Sequence, residues 1–83
     1  MTTVVNLGLD LEGMRALYKV ADTEEIHKAL GYATAYGAIG EYDTVNIYRD
    51  GGADFVCIYK RGEHSFTMGA VWRPELKTYT FHS

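Results

Sequence analysis

A single cysteine, Cys57, leaves the 83-residue chain with no means of forming an internal disulfide. One proline and no low-complexity tract exclude collagen-like, proline-rich and linker-dominated chains. No apolar run approaches the ~20 residues that span a bilayer, so no membrane role is expected. His27, His64 and His82 do not fall in a Cys-x-x-Cys or His-x-x-x-His spacing that would place two donors on one metal. The first residues, Met1 to Asn6, lack the charged and apolar regions of a secretory leader. A cytoplasmic protein with no metal or organic cofactor is the expectation.

Positive charge is also scarce. A formal charge of -3 argues against direct nucleic-acid binding, which usually needs a basic excess to displace counterions from phosphates. The balance is uneven: residues 1 to 54 hold nine acids and four bases, while residues 55 to 83 hold two acids and four bases. A weakly dipolar molecule follows.

What is present is the material of a core. Hydrophobic residues make up 47% of the chain against 23% charged, which is the composition of one globular domain over residues 1–83. Such a short chain buries only ~60–65% of its unfolded surface.

Two readings compete for residues 4–21. In the preferred one, Glu12-Gly13 is a hairpin turn, with Val5, Leu7, Leu9 and Leu11 opposite Val20, Tyr18, Ala16 and Met14, and Asp10 facing Arg15. The alternative is a helix from Asp10 with Met14, Leu17, Tyr18 and Ala21 on one side, which must carry Gly13 in its first turns. The next segment predicts a helix. Asp22 is a cap candidate, Ile26, Ala29, Leu30, Ala33 and Tyr36 recur at helical spacing, and Gly37 and Gly40 would stop it near residue 38.

From residue 43 the period becomes two, the mark of half-buried strands. The stretch YRDGGADF has the glycines of a phosphate loop, but a strand follows it where a phosphate site needs a helix. A Gly51-Gly52 turn is therefore expected, setting Arg49 against Asp54, Tyr48 against Phe55, Ile47 against Val56 and Val45 against Ile58. Lys60-Arg61-Gly62 suits a three-residue loop with Gly62 left-handed, and Arg73-Pro74 starts a last turn of two or four residues. The expected inner face is Val45, Ile47, Val56, Ile58, Phe66, Met68, Ala70, Trp72, Tyr79 and Phe81. The fold class is α+β: one helix on an antiparallel sheet, in the order ββαββββ with a C-terminal four-stranded meander, or ααββββ if the first segment is helical.

No catalytic set stands out. Asp22, Glu24 and Glu25 are explained by capping and the helix dipole. The expected parity sends Cys57 to the outer face and His64 to the inner one, so they would not form a nucleophile and base. Seven tyrosines in 83 residues point to an interface, because tyrosine offers contact area at low rotamer entropy. The expected partner-binding patch is Tyr48, Phe55 and Tyr59 on the outer face, rimmed by Arg49, Lys60 and Arg61. A second candidate surface is acidic: Asp22, Glu24, Glu25, Glu41 and Asp43.

In size, acidity and lack of catalytic motifs the chain resembles the small α+β proteins with which phages block host defences, the anti-CRISPR proteins among them. That resemblance implies a non-enzymatic inhibitor that occupies a site on a larger protein or ribonucleoprotein complex. The alternative reading is a structural protein that self-associates, as a homodimer or larger assembly, through its sheet.

Overall fold

The computed structural model describes residues 3–6 and 11–83, with residues 3–6 and Asp50 described by their backbone alone. The elements are β1 (Thr3–Asn6), α1 (Leu11–Tyr18), α2 (Thr23–Ile39), β2 (Thr44–Asp50), β3 (Ala53–Arg61), β4 (His64–Arg73) and β5 (Thr78–His82). The strands form one sheet in the order β1-β2-β3-β4-β5. The pairs β2-β3, β3-β4 and β4-β5 are antiparallel, so the α+β class and the C-terminal meander are as expected.

The order is βααββββ, which corrects ββαββββ. β1 pairs in parallel with β2, Val4 opposite Val45, and a parallel connection needs the crossover that the two helices provide. The alternative ααββββ contains both helices but omits β1. In place of the second hairpin strand, α1 buries Gly13 and Leu17 on one helical stripe, Leu17 with 1% exposure. Fully burying a leucine is worth about 1.5–3 kcal/mol, more than the ~1 kcal/mol cost of a helical glycine. Tyr18 and Val20, which the hairpin would have turned inward, are 47% and 38% exposed. The expected positions at Leu7, Leu9 and Asp10 lie outside the described residues.

α2 is built as the sequence predicts. The Asp22 carboxylate accepts the Glu25 backbone N–H at 2.9 Å, and Gly40 ends the helix. Ile26, Ala29 and Ala33 are buried along the face laid on the sheet, with Leu30 and Tyr36 packed beside them.

The β2-β3 register departs from expectation one residue before the turn. Asp50 pairs with Ala53 across Gly51-Gly52, as expected, but a bulge between Tyr48 and Asp50 then shifts the ladder. Tyr48 faces Val56, Ile47 faces Cys57 and Val45 faces Tyr59. The inner face of β3 is therefore Phe55, Cys57 and Tyr59, each with 0% exposure, in place of Val56 and Ile58. Size decides this. An aromatic ring buries about 150–250 Å², worth several kcal/mol, whereas the forgone Arg49–Asp54 surface pair is worth less than about 1 kcal/mol.

The next turn contains a compensating difference. Arg61 pairs with His64, leaving the two-residue loop Gly62-Glu63 in place of three residues, with Gly62 left-handed as expected at φ 59°. The two shifts cancel, so Phe66, Met68, Ala70 and Trp72 still face inward, opposite Tyr59, Cys57 and Phe55. A four-residue turn, 74–77, then sets Tyr79 beside Trp72 and Phe81 beside Ala70.

Candidate interaction surface

The bulge dismantles the aromatic patch expected at Tyr48, Phe55 and Tyr59. Phe55 lies in the core, its ring 5.4 Å from Tyr79 and 6.0 Å from Phe81. Tyr59 is the centre of a cluster with Tyr36, Tyr42 and Phe66, at ring distances of 5.1, 5.2 and 6.1 Å. Its hydroxyl donates to the Ala33 carbonyl at 3.0 Å, and burial pushes its pKa well above the tyrosine range. Tyr48 alone remains on the outer face, half-buried. Of the basic rim, Arg49 is exposed at the bulge and Lys60 is exposed on the strand. Arg61 donates to the Gly40 carbonyl at 2.9 Å and lies 5.4 Å from the Tyr42 ring centre. A Cβ at Gly40 would overlap that ring, so this end of the helix is shut by close approach.

The acidic surface is likewise divided. Asp22, Glu24 and Glu25 stand at the start of α2, where the Lys28 ammonium lies 3.5 Å from Glu24 and 3.4 Å from Glu25. Glu41 and Asp43 follow its far end, about 25 Å away at 1.5 Å per residue. There the Asp43 carboxylate accepts the Gly62 N–H at 2.8 Å.

The residues available for chemistry do not converge. Cys57 is fully buried on the inner face, not the outer one as expected, and burial pushes its thiol up to about 11. His64 starts β4, four residues before the Met68 that pairs with Cys57, a separation of about 13 Å along the strand. Among the described residues, no group of three or more His, Cys, Asp or Glu could hold a metal ion. Among the same residues, no helix is long and apolar enough to cross a membrane.

The open surface lies at the other edge of the sheet. Among the described residues, β5 pairs with β4 on one side only, and α2 runs above it. Between them is a groove of about 520 Å³ lined by Ala29 and Tyr32 of α2 and by Tyr79 and Phe81 of β5, with Glu25 and Lys28 on its rim. The Tyr32 ring, 53% exposed, lies 4.7 Å from Phe81. A second groove, also about 520 Å³, shares Glu25 and continues past the α1-α2 junction over Tyr18, Val20, Trp72 and Pro74, with Lys19 and Lys77 on its walls. Leu76, on the adjacent turn, is 63% exposed.

Beneath these grooves polar satisfaction is incomplete. Among the described residues, the buried Tyr79 hydroxyl finds no hydrogen-bond partner. Burial first, and the Asp54 charge second, push its pKa up to about 12. Asp54 itself accepts the Trp72 backbone N–H at 2.6 Å. On the opposite face of β5, Thr80 accepts from Arg73 Nε at 3.2 Å and lies 3.0 Å from His82 Nε2.

Sequence reasoning did not assemble this grooved edge, although one signal was available. The last strand of a meander must be an edge, and helix residues beside it must line any cleft formed there. No protein-family model, curated protein or solved structure matches the chain.

Proposed function

We propose that the chain is a non-enzymatic protein-binding module that captures a larger protein or ribonucleoprotein at the α2-β5 edge and acts by occupying a site on it. The observation that carries this reading is the pair of contiguous grooves, floored by aromatic rings and flanked by exposed Tyr18, Val20 and Tyr32, beside an open strand edge. Aromatic anchors in a cleft with charged groups on its walls, here Glu25, Lys28, Lys19 and Lys77, are the usual material of interfaces. A phage-encoded, anti-CRISPR-like inhibitor of a host defence complex is the instance that the general profile favours. A cytoplasmic location suits Cys57, whose thiol has no partner for a disulfide.

Affinity capture from a host lysate tests the reading. The wild-type chain is expected to retain a protein, identified by mass spectrometry, that Tyr18→Ala with Tyr32→Ala fails to retain. Both side chains are exposed, so the double variant should keep its fold, which circular dichroism checks. Recovery of small molecules or RNA alone would count against the module, and undiminished capture by the double variant would move the surface elsewhere.

The self-association reading draws on the same open edge. Lys28, on the rim of the α2-β5 groove, is already ion-paired with Glu24 and Glu25 and offers a second copy no unmatched charge, which weighs against it. Light scattering across concentrations is expected to show a monomer.

A further inference from the structure

Resting on the protein-binding reading above, we infer that β5 takes an extended segment of its partner as a sixth strand, with two alternate apolar side chains seated in the α2-β5 groove and a carboxylate at the Lys19–Lys77 end.

An edge strand presents a row of unpaired N–H and C=O groups that an extended peptide satisfies. β5 offers five residues, Thr78 to His82, a length of about 17 Å. Its parity fixes what the incoming strand must look like. Tyr79 and Phe81 face α2, while Thr78, Thr80 and His82 face away. Side chains of the added strand opposite Tyr79 and Phe81 would enter the groove between β5 and the Ala29–Tyr32 wall, spaced two residues apart. Those between them would join the threonine-lined outer face. The required pattern is apolar, polar, apolar.

Charge selects the flank. Asp22 is engaged as the helix cap and Glu25 lies against Lys28, so the acids beside the grooves already have partners. Among the described residues, Lys19 and Lys77, both exposed and both on the wall of the second groove, form no ion pair. Glu75, exposed on the same turn, lines neither groove, so the unpaired charges that face the groove at the Thr78 end of β5 are the two lysines, and an acidic residue following or preceding the apolar pair complements them. A second copy of this chain fits less well: with the axis at Thr80, antiparallel pairing sets Lys77 against Ser83 of the second copy, whose side chain is uncharged, and leaves Lys19 unmatched.

The probe is a blocked synthetic peptide in which valine and phenylalanine alternate with threonine and two aspartates flank the run. It is made unmodified and in two forms N-methylated at alternate backbone nitrogens, one form for each phase. Titration by NMR is expected to give a dissociation constant of about 1 mM or tighter for the unmodified peptide. Strand addition uses only every second N–H of the peptide toward β5, so one phase should abolish binding and the other should leave it within about twofold. Lys19→Glu with Lys77→Glu should weaken binding about tenfold, and Lys60→Glu on the outer face should not change it. Slowed amide exchange should appear in β5.

No binding at millimolar concentration, equal binding by both N-methylated phases, or insensitivity to the lysine reversal would overturn the inference. Capture from lysate that depends on Tyr18 and Tyr32 would, in that case, leave the binding module standing and remove strand addition alone. If nothing is captured, the module itself fails.

Discussion

The inner face of the sheet carries two aromatic clusters, and they end differently at their hydroxyls. Tyr59 meets Tyr36, Tyr42 and Phe66 under the C-terminal half of α2, and its hydroxyl is bonded to Ala33. Arg61, bonded to Gly40, and Asp43, bonded to Gly62, tie the surrounding loops together. Tyr79 meets Phe55 and Trp72 under the N-terminal half of α2, and among the described residues its hydroxyl has no partner. Around it the surface opens into two grooves beside an unpaired strand edge. The same side-chain type thus closes one end of the core and leaves the other unfinished. Unsatisfied polar groups and open apolar clefts cost stability, and they mark where a partner could supply what the fold does not.

The contrast is tested most severely by Tyr59→Ala. Removing a fully buried ring from the closed cluster is expected to cost about 3–5 kcal/mol in denaturant unfolding. A cost below about 1 kcal/mol would mean that this end is as loose as the other.

Alkaline titration comes next. Cys57, Tyr59 and Tyr79 all have pKa values raised by burial from ordinary values of 9.0 for the thiol and 10.0 for the phenols. The folded state therefore holds these protons more tightly than the unfolded state. Stability should be level below pH 9, fall first as the unfolded thiol ionises, and fall more steeply above pH 10 as the tyrosines join. Each group contributes a slope of up to about 1.4 kcal/mol per pH unit within its window. Cys57→Ser should remove the part that begins near pH 9, and an unchanged profile would refute the assignment.

The smallest effects are the sharpest comparison, because they differ in sign. Tyr59→Phe loses a buried hydrogen bond and should destabilise by about 1 kcal/mol. Tyr79→Phe removes a buried hydroxyl that has no partner and should stabilise by about 1 kcal/mol. Equal shifts in urea midpoints for the two variants would erase the distinction between the closed and open ends.

Where local chemistry dominates, the fold was legible in the residues. Asp22 caps α2, Gly62 is left-handed, Gly51-Gly52 turns the chain, and a last loop of even length places Tyr79 and Phe81 inward. Each depends on neighbours within a few positions. The β2-β3 parity was not legible, because a bulge before a turn leaves the hydrophobic pattern of each strand intact and only exchanges which residues meet. That one-residue shift carried Phe55 and Tyr59 from the expected interface into the core. It also left Arg49, Lys60 and Arg61 without the aromatic centre they were expected to surround.

By itself, then, the sequence determined the class and the places of its breaks: an amphipathic helix, four alternating strands, and where the chain turns between them, though not the length of each turn, all set by short-range propensity and period. Only the tertiary structure decided that residues 11–18 are a helix, that β1 joins in parallel, and that the aromatic residues of β3 face inward. Those outcomes turn on which surfaces bury the most apolar area against distant partners, a quantity that no local window contains. The grooved edge follows from the same cause, since it exists only where α2, the α1-α2 junction and the last strand meet.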